Sequence, residues 1–279
     1  MRRVLADWNK GLSIGGRNIS NLRYADDTTL LATNASDLEE LLLKVNSESE
    51  ALGLKLNVSK TKVMIVGGNE TEAQILVNGA VVEQVDQFNF LGSLISTDGG
   101  CSTEIRRRLG MAKSAMVRLQ KIWSDRGITK NTKARLISAL IFPIATYGCE
   151  SWTLTKSDEK KINSFELWCW RRMLRITWRM KRSNESVLQE INPKKRLLSI
   201  IRSQMLRYFG HIARREGDCL EKIIMQGLVE GSRHRGRPRA RWIDKIKTTS
   251  GFASLRSLYS IARDRTRWRA IVDVTSCQS

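Results

Sequence analysis

Metal-binding and redox side chains are scarce in this 279-residue chain, which has two histidines, His211 and His234, and five cysteines at positions 101, 149, 169, 219 and 277. The cysteines are odd in number, widely scattered and form no Cys-x-x-Cys pair, which fits reduced thiols in an intracellular protein and not a disulfide framework. Cys219, His211 and His234 lack the spacing of a zinc knuckle, so zinc is not expected. Also missing is any uninterrupted apolar run of about 18 residues, the length needed to cross a bilayer. Asp7, Asn9 and Lys10 break up what would be the apolar core of a secretory leader. A membrane-spanning or secreted protein is thereby disfavoured, and the expected place is the nucleus or cytoplasm.

Charge is abundant and unevenly placed. The net charge is +20, yet residues 1–100 carry 9 Lys/Arg against 13 Asp/Glu, while residues 101–279 carry 39 against 15. The two parts are therefore −4 and +24. A field of that strength attracts polyanions, and release of condensed counterions favours a phosphate backbone. Nucleic acid is the simplest partner and membrane is not expected.

The pattern of elements is α+β for the first hundred residues. Asn18 to Tyr24 and Thr28 to Ala32 alternate as two strands of a hairpin. Ser36-Asp37-Leu38-Glu39 reads as a capping box opening a helix whose apolar stripe is Leu38, Leu41, Leu42, Val45 and Leu52, closed by Gly53. Leu54 to Leu56 and Val63 to Val66 read as strands, Asn78-Gly79 as a tight turn, and Phe88 to Ile95 as one more strand. After Thr97-Asp98-Gly99-Gly100 the periodicity becomes helical, first with Ile105, Leu109, Ala112, Met116 and Leu119 on one face. Further helices are expected at Thr132 to Ala145, at Asp158 to Ile176 with Ser157 as its cap, at Lys194 to Tyr208 and at Ser254 to Ile271. Trp168, Trp170 and Trp178 are expected in packing, as large aromatics usually are. The organisation expected is 1–100, 101–180 and 181–279.

Tyr24-Ala25-Asp26-Asp27 puts two adjacent carboxylates at the tip of the first hairpin. Oxygen-only donors suit Mg²⁺, which keeps several waters and is completed by substrate phosphates. A bare Asp pair is weak, since Asp also favours turns for conformational reasons. The neighbours add weight: Tyr24-Ala25-Asp26-Asp27, then a helix, then Gly53-Leu54-Lys55-Leu56-Asn57-Val58-Ser59-Lys60-Thr61-Lys62 and Phe88-Asn89-Phe90-Leu91-Gly92-Ser93 resemble, in that order, the palm of a non-LTR (LINE-type) retrotransposon reverse transcriptase. Tyr147-Gly148-Cys149-Glu150-Ser151-Trp152 and Gly210-His211-Ile212-Ala213-Arg214 resemble recurring features of such elements further on.

That resemblance implies a partial palm, an antiparallel sheet with a packed helix, followed by a helical thumb and a basic C-terminal region. It implies RNA template and DNA primer as partners and two-metal nucleotidyl transfer with Mg²⁺. Asp26 would be a metal ligand, with Asp27 a second ligand or a neighbour that tunes it. Lys60 or Lys62 would approach the nucleotide phosphates, Lys60 being slightly favoured, and Tyr24, Phe90, Leu91 and Gly92 would lie along the primer. The family brings another metal-binding Asp on an upstream strand, for which Asp7 is a poor substitute. The chain is therefore expected to be a C-terminal part of a larger polymerase, inactive alone. The alternatives are a nucleic-acid-binding module, or a decayed element without catalysis.

Gly231 to Trp242 is the densest basic run and carries Arg233, Arg235, Arg237, Arg239 and Arg241. Its glycines and Pro238 break regular structure, so an extended loop is expected. Arg235-Gly236-Arg237-Pro238 resembles an AT-hook, a reader of the A·T minor groove. A general phosphate-binding loop and a solvated linker are the other two readings.

Overall fold

The computed structural model describes residues 8–67, 72–217, 219–226 and 240–277, the side chain of Cys277 excepted. They divide into two compact units, one holding residues up to Gly99 together with 219–226, the other running from Gly100 to Gly217 and from 240 onward. The first is α+β and the second helical.

In the first unit, β1 (Leu12–Ile14) and β2 (Arg17–Ile19) form one antiparallel hairpin, and β3 (Asn21–Tyr24) and β4 (Asp27–Leu30) form the next. Asn18 and Ile19 thus belong to the earlier hairpin and not to the strand of Tyr24. Helix α1 (Ala35–Ala51) follows, capped by Asn34, whose side chain accepts from the Asp37 amide, so the cap lies two residues before the expected Ser36. At its other end Gly53 takes φ +74, and the amides of Gly53 and Leu54 donate to the Glu50 and Ser49 carbonyls at 2.9 and 2.8 Å. This is a Schellman ending, which a residue without Cβ enters without steric cost.

The α1 stripe buries Leu41, Leu42 and Val45, while Leu52, the expected last member, is 71% exposed just beyond the helix. Leu42 packs with Val63, Ile75, Val77 and Val82, and Leu41 and Val45 pack with Trp8 and Leu30. The strands that supply this core are short: β5 (Lys62–Val63) pairs in parallel with β8 (Glu83–Gln84), and β6 (Leu76–Val77) pairs with β7 (Ala80–Val81). Asn78 and Gly79 both take positive φ, which makes their turn the I′ type that fits strand twist. Asn78 also donates to Glu50 at 3.0 Å and so ties that turn to α1.

Three expectations fail here. Leu54 to Leu56 form no strand, and Met64 to Val66 lie outside β5. Phe88 to Ile95 is not one strand but a hairpin, β9 (Gln87–Phe90) and β10 (Ser93–Ser96), because Leu91 and Gly92 at φ +48 and +77 reverse the chain. Nor do the strands merge into the single sheet the resemblance implies: among the described residues they form five two-stranded sheets.

The second unit begins with α2 (Ser102–Arg118), which buries Ile105, Leu109, Ala112 and Met116, and α3 (Gln120–Ser124). Lys133 of α4 (Lys130–Leu136) is buried and donates to the Trp123 carbonyl at 3.1 Å, a cation placed at the carbonyl end of α3. A π turn, Ile137–Ile141, joins α4 to α5 (Phe142–Ala145) and ends two residues before Pro143, which has no amide hydrogen to give. Helix α6 (Lys156–Met173) is capped by Thr155, not Ser157, with Thr155 and Asp158 bonded reciprocally. Then come α7 (Asn184–Ile191), α8 (Leu197–Ala213), α10 (Trp242–Ser250), α11 (Leu255–Arg263) and α12 (Arg265–Cys277), while α9 (Leu220–Gln226) belongs to the first unit. The helix expected over Ser254 to Ile271 breaks at Asp264, whose side chain accepts from the amides of Thr266 and Arg267 and starts a new helix.

Trp170 is buried edge-to-face against Phe142, with ring centroids 5.5 Å apart. Trp168 is half-buried. Trp178 departs from expectation: it stands 84% exposed in a short 3₁₀ turn, Trp178–Met180.

Candidate functional site

In the β3–β4 hairpin Tyr24 pairs with Asp27, leaving Ala25-Asp26 as a two-residue loop. Ala25 takes φ +52 and Asp26 does not share it, the arrangement of a II′ hairpin, in which glycine is the usual first residue. An alanine there stores roughly 1–3 kcal/mol of strain. Tyr24, Ala25, Asp26 and Asp27 are all exposed, Tyr24 at 65%. The base of the hairpin is anchored instead: the Leu31 amide donates to the Ser20 carbonyl at 2.8 Å, and Leu30 packs against the α1 core. The chain thus holds two carboxylates at an open tip on a fixed stem.

Those donors suit part of a hard-cation site, since two carboxylates with open positions leave room for waters and phosphate oxygens. They do not amount to a complete centre. Among the described residues no three His, Cys, Asp or Glu side chains come together to hold a metal ion. The donor set therefore does not fit a two-metal centre by itself.

Lys60 sits in a turn and not on a strand, its amide donating to the Asn57 carbonyl and side-chain oxygen at 3.1 and 3.2 Å. Its side chain is exposed and makes no ion pair among the described residues, whereas Lys62 on β5 is bound to Glu83. No hydrogen bond or ion pair described joins Lys60 to Asp26 or Asp27. On β9, Phe88 and Phe90 occupy the same face, two residues apart, and both are half-buried. Leu91 and Gly92 form the exposed I′ tip. The structure thus displays the sequence candidates on two hairpins and one turn.

Arg233, Arg235, Arg237, Arg239 and the AT-hook-like run lie outside the described residues, as does Asp7. Arg241 is described: it caps α10, with its amide and its guanidinium Nε each 3.3 Å from the Asp244 carboxylate.

The two later motifs are structural. Gly148 takes φ +68 and turns the chain so that Cys149 and Trp152 are buried. The Cys149 thiol meets the Gln204 side chain of α8, and burial pushes its pKa up, which suits packing and not nucleophilic attack. The Glu150 carbonyl accepts from Trp242 Nε1 at 2.8 Å. Tyr147 lies outside, its ring 4.2 Å from the Arg108 guanidinium. Gly210 lies where any Cβ would come 2.2 Å from Trp268 Nε1, so only glycine lets α8 and α12 pack this closely.

Residues 1–95 match the family "Reverse transcriptase (RNA-dependent DNA polymerase)". Over 273 residues the chain is 25% identical to a transposon-derived protein of Caenorhabditis elegans, covering 94% of this chain and 98% of that protein. No solved structure matches. The match covers both candidate hairpins and the Lys60 turn, and the relative extends through the helical unit. Residues 1–95 are therefore similar to the reverse transcriptase family, and the chain as a whole is similar to a transposon-derived protein.

Proposed function

We propose that this chain is the C-terminal portion of the RNA-directed DNA polymerase of a LINE-type retrotransposon, with RNA template and DNA primer as its partners. The observation that carries the reading is the exposed Asp26-Asp27 pair at the tip of a two-residue hairpin within the family match. Asp26 would take a Mg²⁺ ion and Asp27 would join or tune it, while the cation would polarise phosphate oxygens. Lys60, without an ion pair among the described residues and on a turn braced by Asn57, would meet the nucleotide phosphates. Phe90, Leu91 and Gly92 would present a tight turn to the primer end. Residues 101–180 would act as the thumb and 181–279 as a basic region beyond it.

Among the described residues no third carboxylate joins Asp26 and Asp27 to bridge two cations, so the chain is expected to be inactive alone. Primer extension with purified chain on an RNA template, with Asp26→Asn as control, tests this. No extension by either protein agrees with the reading, and activity restored by a separately supplied upstream segment and lost again in Asp26→Asn completes it. Robust Asp26-dependent extension by the chain alone would show that the missing donor lies within it. The +24 charge of residues 101–279 favours a second reading, a nucleic-acid-binding module without chemistry. On that reading affinity survives Asp26→Asn and falls steeply with salt.

A further inference from the structure

The segment between α6 and α7 carries two cationic residues in left-handed backbone. Helix α6 ends in a Schellman motif: the amides of Arg175 and Ile176 donate to the Arg172 and Arg171 carbonyls at 3.2 and 2.9 Å. The left-handed position in that motif, which Gly53 fills after α1, is held here by Arg175 at φ +57. Six residues later Lys181 takes the same left-handed conformation at φ +44. Left-handed backbone crowds the Cβ of an L residue, which is why glycine or asparagine usually fills it. At helix ends the chain complies at Gly53, Asn192 and Gly251, whereas Arg175 and Lys181, like Ala25 and Leu91 in the hairpin turns, depart from the rule.

Between the two cations stands Trp178, 84% exposed, with the Arg179 guanidinium 5.8 Å from its ring centroid. The loop is braced beneath: Arg171 donates to the Arg182 carbonyl and to Asn184, and Arg182 is bound to Ser186 and Glu190. Residues 171–185 carry six Lys/Arg and one acid, Glu185. Arg175, Arg179 and Lys181 make no ion pair among the described residues. A large apolar ring is thus held out in water on a braced loop, beside the Arg179 guanidinium and between Arg175 and Lys181 in the chain.

The same charge continues along α6. Lys160, Ser164, Trp168 and Arg172 recur every four residues and so share one face of the helix. Over the 12 residues from Lys160 to Arg172 the face extends about 18 Å. A cavity of about 570 Å³ opens there against Arg106 and Lys113 of α2. Arg106, Lys113 and Lys160 form no ion pair among the described residues. This face leads into the loop that carries Trp178.

We propose that Trp178, with Arg175, Arg179 and Lys181, is a stacking platform for single-stranded nucleic acid, the base lying on the indole and the phosphates on the three cations. Single-strand sites elsewhere combine the same two ingredients, an aromatic face for any base and a basic path for the backbone. Met180 is also exposed two residues away, but the recorded contact of the ring is with a cation, Arg179, and the +24 charge of residues 101–279 favours a polyanion over a protein partner. The inference rests on the helical unit alone and does not need the polymerase reading.

The test is fluorescence anisotropy of an end-labelled oligo(dT) titrated with the full chain, beside a duplex of equal length. Trp178→Ala is expected to weaken oligo(dT) binding about 5- to 150-fold, as loss of one stacked base does, and to abolish any preference over duplex. Trp178→Phe keeps a ring and should retain most of the affinity. The triple variant R175Q/R179Q/K181Q should lower the slope of log affinity against log salt by about 2, at about 0.7 for each single-strand phosphate contact. Unchanged binding in Trp178→Ala, an equal loss in Trp178→Phe, or no binding of oligo(dT) by the wild-type chain overturns the proposal. So does a Trp178→Ala variant that loses only its binding to phosphatidylserine vesicles. Primer extension is read separately, so its failure leaves this result intact.

Discussion

Replacing Arg175 and Lys181 by glycine separates what the fold prefers from what the loop does. Each substitution removes a left-handed penalty of roughly 1–2 kcal/mol, returns roughly 0.5–1 kcal/mol through the greater freedom of glycine in the unfolded chain, and forfeits about 0.3 kcal/mol of interaction with the helix carbonyl end at an exposed site. The net gain is about 0.5 kcal/mol per site. If the two sites add, R175G/K181G should be about 1 kcal/mol more stable, raising Tm by roughly 2–4 °C. Differential scanning calorimetry at fixed salt measures this. The same protein should bind oligo(dT) more weakly, its salt slope reduced by about 1.4 for the two lost contacts. A lower Tm would refute the argument, because it would mean that the two side chains hold the loop together. A higher Tm with unchanged binding would show cations that face no ligand.

Three further expectations concern the helical unit. Gly210→Ala forces a Cβ against the indole of Trp268, which is buried and donates to the Leu206 carbonyl at 2.9 Å; overpacking of this kind costs about 1–3 kcal/mol, seen as a lower urea midpoint. Asp158 is fully buried; desolvation raises its pKa, but bonds from Thr155, Ser102 and Lys161 outweigh this and hold it below the ordinary 3.8. Its stabilisation is present above 3.8 and lost as pH falls through the folded-state value, so Asp158→Asn should lower the neutral-pH plateau and flatten the acid limb of the stability profile. Glu166 is fully buried against Arg196 at 2.9 Å and Trp170 at 3.3 Å, and burial raises its pKa. Arg196→Met leaves that carboxylate unpaired and should cost about 3–5 kcal/mol near neutrality; the deficit should shrink on acidification, as Glu166 takes up a proton, and be smaller in E166Q/R196M.

Sequence signals succeed in this chain where the deciding partner is near in sequence. Asn78-Gly79 specifies its own I′ turn, Gly53 its own helix end, and the spacing of Leu41, Leu42 and Val45 shows which face of α1 is buried. They fail where several local solutions compete or a distant partner decides. Asn34 and Ser36 are both competent caps, and the structure uses Asn34. Phe88 to Ile95 carries strand-like residues throughout, yet Leu91 accepts a positive φ and the run folds back on itself. The position of Asp26 at an exposed tip was legible because a two-residue loop between alternating runs is a local fact; whether a third carboxylate reaches it depends on chain far from the hairpin.

Tryptophan shows the limit most clearly. An indole placed indoors usually finds an acceptor for its Nε1 hydrogen, although Trp8 Nε1 is buried without one among the described residues. Trp123 finds the Met116 carbonyl, Trp170 the Glu166 carboxylate, Trp242 the Glu150 carbonyl and Trp268 the Leu206 carbonyl. Two of these acceptors lie 92 and 62 residues away, so composition and spacing cannot reveal them. Trp178 follows Trp170 by eight residues and looks no different in the sequence. What separates them is that α6 has already ended, through an Arg in the left-handed position, so no helix face carries Trp178 inward. The same backbone reversal that withdraws it from the core sets it on one short loop with Arg175, Arg179 and Lys181, which makes its exposure a consequence of how the helix stops and the charge of its loop a consequence of which residues stop it.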